Sequence, residues 1–230
     1  MRHWNRIGLL VPSSDTVMEP DLWRRLPPQA SIHVARMYLE DTTVAGEEKM
    51  LLEELAPAAR RLASINPELI IFGCTSAAAL HGMDGDAAIA NRVQEIAGCD
   101  AITLTQASVS EIKKLQVKRL FLFTPYVAEL TERLANTFGE AGLPVIGSEG
   151  LGLDNDLAIA AVSPEEIRDY VAAAVKRCRI HPDAVFISCT TFRAFDAVEA
   201  IERELGIPVV TSNQAAFEFL LHHLRTKKSI

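Results

Sequence analysis

The sequence contains one strand-like segment twice, and each copy ends in a cysteine. The first copy reads INPELIIFGCTSAAAL over residues 65–80 and the second reads IHPDAVFISCTTFRAF over residues 180–195, so the offset is 115 throughout. Both copies carry a proline, an acid and an apolar run before Cys-Thr and a further hydroxylated residue. A duplication of this kind restricts the chain to folds that are built from two similar halves.

Two further pairs of segments extend the repeat. IGLLVPSSD matches RLFLFTPYV, with Pro12 and Pro125 separated by 113 positions, and ITLTQASVSEI matches VVTSNQAAFEF, with Gln106 and Gln214 separated by 108. The three pairs follow in the same order along the chain. We therefore predict an N-terminal lobe over residues 1–115 and a C-terminal lobe over residues 116–230, each with one of the cysteines, and a C-terminal helix that crosses between them.

Short apolar, β-branched segments alternate with longer helical patterns. Predicted helices lie at residues 46–64, 84–97, 106–115, 126–141, 164–179 and 192–205, and Ser163-Pro164-Glu165-Glu166 is typical of a capped helix start. Predicted strands lie at residues 7–11, 31–38, 69–73, 101–105, 119–124, 144–150, 184–188 and 208–211. Strands that are apolar on both faces form parallel sheets covered by helices. The predicted fold is α/β, with two pseudo-symmetric doubly wound parallel-sheet lobes that face a central cleft.

Composition and charge exclude several classes of protein. The chain of 230 residues is 49% hydrophobic and carries a net charge of −7. These values fit a globular protein and give no electrostatic reason to bind nucleic acid or an anionic membrane. No segment reaches the roughly 18 to 20 consecutive apolar residues that a membrane helix needs. We expect a cytoplasmic protein.

The four cysteines are expected to be free thiols. They are spaced by 25, 79 and 11 positions, without a C-x-x-C or Cys/His pattern for zinc, and a reducing compartment disfavours disulfides. Cys99 and Cys178 are expected to be small core residues, and His81 and His181 to be structural. The chain also lacks a G-x-G-x-x-G or P-loop lysine, so neither a metal nor a nucleotide cofactor is indicated.

Cys74 and Cys189 each follow a predicted strand, at the end where open parallel sheets bind ligands. Two lobes that face each other would bring these thiols in from opposite sides of a small molecule. One thiol could then remove a proton from one face of a carbon while the other delivers a proton to the opposite face. A helix N-terminus after each cysteine could lower the thiol pKa from about 8.5. Alternatively, one sulfur could add to an activated double bond.

Hydroxylated residues surround both cysteines and the first predicted turn. Together with strand-end amides they could form a neutral set of donors for the carboxylates of a small substrate. The residues that carry this expectation are Ser13, Ser14, Thr16, Thr75, Ser76, Thr190 and Thr191.

Five motifs give the chain a family resemblance that covers nearly its whole length. They are VPSSDTVME, GCTS, Thr124-Pro125-Tyr126, DNDLA from Asp154, and SCTTFR. With them the sequence resembles the aspartate/glutamate racemase superfamily, and within it the maleate cis-trans isomerases and arylmalonate decarboxylases. It is also similar to ectoine-utilisation proteins of the EutA type, which share the VTSNQA ending. The resemblance implies a homo-oligomer.

The resemblance also implies roles for individual residues. Cys74 would be the nucleophile and Cys189 the proton donor or acceptor, with Tyr126 and Asn155 holding the substrate. Arylmalonate decarboxylases keep only the second cysteine, so the two cysteines of this chain argue against decarboxylation.

Asp15 departs from the maleate isomerase pattern, which has Asn at this position. An ionised Asp15 about 4 Å from a substrate carboxylate would be repelled by roughly 4 kcal/mol per charge pair at an effective dielectric constant near 20. Asp15 is therefore protonated, points away, or meets a positive group of the substrate; it could also cap the following helix. Glutamate racemases, and the ectoine-utilisation proteins, place an acid here, which favours an amino-acid-like substrate.

Four functions are compatible with these observations. The leading one is a cofactor-independent isomerase of a small carboxylate that uses two opposed cysteines, most like a maleate cis-trans isomerase. The alternatives are an amino-acid racemase or epimerase with two-base proton transfer, an arylmalonate-type decarboxylase, and a binding protein that uses the same cleft without chemistry.

Overall fold

The computed structural model describes residues 4–226 and contains two four-stranded parallel sheets. The first sheet has the order β2-β1-β3-β4 and the second has the order β6-β5-β7-β8. The repeat in the sequence is therefore a repeat of topology, and the predicted α/β architecture is confirmed. The strands are β1 (Asn5–Pro12), β2 (Ala30–Met37), β3 (Leu69–Phe72), β4 (Asp100–Thr103), β5 (Leu120–Tyr126), β6 (Val145–Leu153), β7 (Ala184–Ile187) and β8 (Val209–Thr211).

Eleven α-helices and one 3₁₀ turn connect the strands in the described part of the chain. The helices are α1 (Met18–Arg25), α2 (Val44–Glu53), α3 (Leu55–Ala63), α4 (Thr75–Ala78), α5 (Gly82–Ala97), α6 (Leu104–Lys114), α7 (Ala128–Glu140), α8 (Asp156–Ala161), α9 (Pro164–Arg177), α10 (Val198–Leu205) and α11 (Ser212–Thr226). The 3₁₀ turn, Arg193–Ala197, precedes α10. None of these helices is long and apolar enough to cross a membrane.

Two predicted helices differ from the observed ones. The helix predicted at residues 46–64 is divided at Glu54 into α2 and α3, because Pro57 lacks an N–H group and its ring would clash with the carbonyl of residue 53 in a continuous helix. The helix predicted at residues 192–205 is α-helical only in its second half. The predicted start of α9 is confirmed, since Ser163 and Glu166 form a complete capping box.

The hydrophobic core extends across both lobes. The inner strands β3, β5 and β7 are buried along their whole length. Helices α6 and α11 pack against each other between the lobes, and their buried residues belong to one apolar cluster with both sheets. Helix α11 also contacts α1 of the first lobe. The lobe boundary at residues 115/116 remains a prediction, because the core does not divide there.

Buried polar contacts join the lobes next to the cysteines. The side-chain amide of Asn213 donates to Asp21 Oδ2 at 3.0 Å and to the backbone oxygen of Thr190 at 3.0 Å. The hydroxyls of Thr75 and Ser212 lie 2.9 Å apart. These contacts fix the two strand ends that carry Cys74 and Cys189 relative to each other.

Gly73 occupies a position that has no space for a side chain. An added Cβ would lie 2.7 Å from the sulfur of Met18 and 3.0 Å from the backbone oxygen of Leu10. We expect Gly73→Ala to lower the free energy of unfolding by about 1–3 kcal/mol, because overpacking displaces core atoms. Gly139→Ala in α7 is the control, since a Cβ there meets nothing within 4 Å; it should stabilise the protein by roughly 0.5 kcal/mol. Urea denaturation measures both, and equal effects would contradict the prediction.

Candidate active site

A narrow cavity lies between the carboxyl ends of the two sheets. Seven of the ten residues predicted for the site line it, and they come from both lobes. Larger and more open grooves on the surface contain none of these seven. The predicted residues that line the cavity are Cys74, Thr75, Ser76, Tyr126, Cys189, Thr190 and Thr191.

Cys74 follows β3 and occupies the N-cap position of the short helix α4. Its sulfur lies 3.7 Å from the hydroxyl of Ser76. Burial raises the pKa of this thiol well above its usual value, and the neighbouring carboxyl of Glu47 raises it further. A hydrogen bond from the Ala77 backbone opposes these effects but does not offset them. Cys74 is therefore protonated in the empty site.

Cys189 follows β7, and its thiol is also buried. Burial raises the pKa of Cys189 well above its usual value, and Asp156 adds to this, whereas a hydrogen bond with Tyr126 opposes it. The expectation that a helix N-terminus lowers the pKa of both thiols is wrong for the empty site. Helix α4 has only four residues, and Cys189 is followed by bends and a 3₁₀ turn instead of an α-helix.

Tyr126 ends strand β5 and presents its hydroxyl to the second cysteine. The side chain is fully buried, and its hydroxyl lies 3.1 Å from that of Ser188. Burial raises the pKa of this phenol well above its usual value. A neutral phenol can donate a hydrogen bond either to Cys189 or to a bound carboxylate.

The backbone at Cys189 is strained. Its φ of 96° lies in the region that favours glycine, which costs a residue with a Cβ of the order of 1–3 kcal/mol. Cys74 has an ordinary extended conformation with a φ of −145°. The two cysteines are matched in sequence but differ in backbone geometry.

This difference predicts opposite preferences for glycine and alanine at the two positions. Cys189→Gly should be more stable than Cys189→Ala by about 1 kcal/mol, because glycine relieves the strain. At position 74 the order should reverse, since glycine only adds flexibility to the unfolded chain. Denaturant unfolding of the four variants measures both differences. The same order at both positions would contradict the prediction.

Three predicted substrate-binding residues do not line the cavity. Asp15 is buried and caps α1, because its Oδ1 accepts from the backbone of Val17 at 2.8 Å and of Met18 at 2.9 Å. Burial raises its pKa, which the Thr190 side chain and these two amides oppose. Ser14 donates to Asp156 Oδ2 at 2.6 Å. Asn155 is exposed and caps α8, whereas its neighbour Asp156 lines the cavity.

Two carboxyl groups in the cavity wall escaped the sequence analysis. Glu47 lies on the buried side of α2 and is 0% exposed; its Oε1 accepts from the Ser76 hydroxyl, while Oε2 has no hydrogen-bond partner in the described residues. Burial raises the pKa of Glu47 to about 8, with further contributions from Asp156 and Asp41 and with Ser76 opposing. Asp156 starts α8, and its Oδ1 accepts from Thr42 at 2.9 Å.

A weak signal for both residues was present in the sequence. Glu47 lies three positions before the buried Met50, on the face of α2 that a helical pattern assigns to the core. Asp156 belongs to the DNDLA motif and directly follows Asn155, the predicted substrate-binding residue. Among residues 4–226, no three His, Cys, Asp or Glu side chains come close enough together to hold a metal ion.

Comparisons with known proteins agree with this fold. The family model of arylmalonate decarboxylase matches residues 7–228. The arylmalonate decarboxylase of Bordetella bronchiseptica is 28% identical over 92% of this chain and 87% of its own, and a maleate isomerase of Nocardia farcinica is 28% identical over 95% and 90%. A solved structure of Nocardia farcinica maleate cis-trans isomerase with a covalently bound succinylcysteine intermediate superimposes with a TM-score of 0.85, at 25% identity, over 96% of this chain and 93% of that one. The maleate isomerase relatives share this fold. The chain belongs to the arylmalonate decarboxylase family of enzymes.

Proposed function

We propose that the protein is a cofactor-independent isomerase of a small carboxylate, in which Cys74 and Cys189 act on opposite faces of the substrate. The observation that carries this proposal is the position of the two thiols, one from each lobe, in the wall of a single narrow cavity. The succinylcysteine intermediate of the Nocardia farcinica enzyme supports a nucleophilic cysteine in a protein of the same fold.

The hydroxyl groups of Thr75, Thr190 and Thr191, together with the Tyr126 phenol, would hold the substrate carboxylate. All four side chains are buried and line the cavity, where hydrogen bonds to a charged acceptor are strong.

Cys74 has a route by which it can lose its proton. Its thiol is next to the Ser76 hydroxyl, which donates to Glu47. When Glu47 is ionised, which its pKa of about 8 places near or above that pH, transfer of the thiol proton to Ser76 and of the serine proton to Glu47 would give a thiolate and a neutral carboxylic acid. The thiolate could then remove a proton from the α-carbon or add to a double bond, while Cys189 acts from the opposite side.

Two reaction courses fit this arrangement. The first is cis-trans isomerisation, as in the maleate isomerases, through addition of a thiolate to the double bond, rotation and elimination. The second is racemisation or epimerisation, in which one thiolate removes the α-proton and the other thiol supplies a proton. The acids Glu47 and Asp156 in the cavity favour the second course, because a dicarboxylate would place two further negative charges beside carboxyl groups that have no cationic partner in the described cavity lining. A cytoplasmic location would keep both thiols reduced.

Incubation with a substrate panel in deuterated water tests the proposal. The panel contains maleate, aspartate, glutamate, hydantoins and aryl malonates, and NMR follows both conversion and isotope incorporation. Racemisation is expected to introduce deuterium at the α-carbon, whereas isomerisation of maleate changes the double-bond geometry. Release of carbon dioxide from an aryl malonate would contradict the proposal in favour of decarboxylation. Binding without conversion of a bound compound would support the non-catalytic alternative.

A further inference from the structure

The described lining of the cavity contains two carboxyl groups and no compensating positive charge. Glu47 and Asp156 both contribute to its wall, and they are close enough for Asp156 to raise the pKa of Glu47. No Lys, Arg or His of residues 4–226 lines the cavity. Burial raises the pKa of Glu47 to about 8, so its carboxyl keeps the proton in the empty site near neutral pH. A cationic group beside the two acids would favour the ionised form of Glu47 and would itself be attracted by it.

Glu47 also has a free hydrogen-bonding atom inside the site. Its side chain is completely buried, and Oε2 has no partner among the described residues. The other oxygen is held by Ser76, which fixes the direction of the carboxyl group. Buried polar atoms in native proteins almost always have a partner. An unpaired carboxyl oxygen in a cavity wall therefore points to a donor that arrives with the ligand.

Asp156 is likewise held by hydroxyl groups. Its two oxygens accept from Thr42 at 2.9 Å and from Ser14 at 2.6 Å. Each carboxyl oxygen can accept a further hydrogen bond. Both acids are thus held in place by hydroxyl groups of the first lobe, and both retain acceptor capacity for a ligand.

We propose that Glu47 and Asp156 form a subsite for a cationic group, so that the substrate is a small carboxylate that also carries an ammonium group. The inference rests on the function proposed above, since it names the substrate class of the same site. The hydroxyl donors around the cysteines would take the carboxylate, and the acidic pair would take the ammonium. Maleate and aryl malonates carry two carboxylates and lack the group that this subsite requires.

A cationic group at this subsite would also assist the chemistry. Glu47 and Asp156 both raise the pKa of the Cys74 thiol. An ammonium group between them would offset this effect, because an opposite charge favours the ionised form of its neighbours. Binding of the correct substrate would thereby promote formation of the thiolate, whereas a neutral or dianionic compound would not.

The charge preference of the site can be measured through its own cysteines. Aminoethyl methanethiosulfonate is cationic and sulfonatoethyl methanethiosulfonate is anionic, and both modify thiols by the same reaction. The rate constants at Cys74 and Cys189 are followed by peptide mass spectrometry and divided by those for N-acetylcysteine. The measurement is made at about pH 9, where Glu47, with a pKa of about 8, is ionised. We expect the cationic reagent to be favoured by about tenfold or more in the wild-type protein, as an attraction between opposite charges in a partly buried site predicts.

Matched variants separate the subsite from the general charge of the protein. Glu47→Gln and Asp156→Asn should each reduce the preference several-fold. Their controls are Glu48→Gln, on the exposed side of the same helix, and Asp154→Asn, which is exposed two residues before Asp156; both should retain the preference. If Asp156→Asn does not fold, the ratio of cationic to anionic labelling rates in the wild type and in Glu47→Gln still tests the subsite. A ratio near one, or a ratio that neither site variant changes, would overturn the inference.

The outcome is independent of whether the proposed function is correct. Labelling needs no turnover, so a strong cationic preference together with inactivity toward every carboxylate would count against the isomerase and leave the subsite intact. Conversely, rapid turnover of maleate by a protein without the cationic preference would overturn the subsite and leave the isomerase intact.

Discussion

Cys74→Ala and Cys189→Ala are each expected to lower the rate of isomerisation by about 10²–10⁴-fold, because each variant removes the acid or base on one face of the substrate. The fold should persist, since both thiols are small groups in the wall of an existing cavity. Circular dichroism and urea denaturation check the fold, and turnover of whichever panel compound is converted measures the effect.

Cys99→Ala and Cys178→Ala provide the matched controls for the site cysteines. Both residues are of intermediate burial and lie outside the cavity, and their variants should retain full activity. The double variant of Cys74 and Cys189 should be little worse than either single variant, because groups that act as a unit give non-additive losses. Full activity in either single variant would contradict the proposed mechanism.

The sequence was sufficient for the architecture because the repeat is carried by strands. β3 and β7 are four-residue apolar segments, and each is followed one residue later by the same Cys-Thr pair. The carboxyl ends of parallel strands in a doubly wound fold lie at the edge where ligands bind. Periodicity identified all eight strands but gave no bounds for the short helices α1, α4 and α8. Helix starts after Asp15 and Cys74 were expected, and Asp15 caps α1 as one of its expected alternatives. Asn155, which was interpreted as a substrate contact, caps α8.

The residues that determine the charge of the site could not be recognised from sequence. Glu47 and the adjacent Glu48 have the same side chain, and only the packing of α2 buries one and exposes the other. Asp156 enters the cavity because Asn155 caps α8 and thereby directs the next residue inward. The acid that the sequence indicated, Asp15, caps α1, as one of its expected alternatives, whereas Glu47 and Asp156 line the cavity.

The buried position of Glu47 makes the stability of the protein depend on pH. Its pKa is about 8 in the folded protein and 4.5 without burial, so the folded state holds the proton more tightly than the unfolded chain. Below about pH 4.5 both states are protonated, and this contribution to stability is fully present. As the pH rises toward 8 only the unfolded state releases the proton, and the free energy of unfolding falls by up to about 1.4 kcal/mol per pH unit.

Asp86 contributes in the same direction at lower pH. Burial raises its pKa from 3.8 to about 6, with Thr103, Gln106 and Thr105 opposing, and its Oδ1 accepts from Thr103 at 2.5 Å. As the pH rises from about 4 to about 6, the unfolded chain releases this proton first, and the free energy of unfolding falls over that interval. The interval between pH 6 and pH 8 isolates Glu47 from Asp86.

Glu47→Gln should flatten the stability profile between pH 6 and pH 8, because glutamine keeps the shape of the protonated acid but cannot ionise. The variant is expected to be less pH-sensitive than the wild type and more stable than it above pH 8, by a few kcal/mol. Urea denaturation at a series of pH values measures the difference. Glu48→Gln should leave the wild-type slope unchanged, since Glu48 is exposed. Parallel profiles for the wild type and Glu47→Gln would mean that water or a counter-charge reaches Glu47 in the folded protein. The two acids would then not need a cationic group from the ligand, which contradicts the proposed subsite.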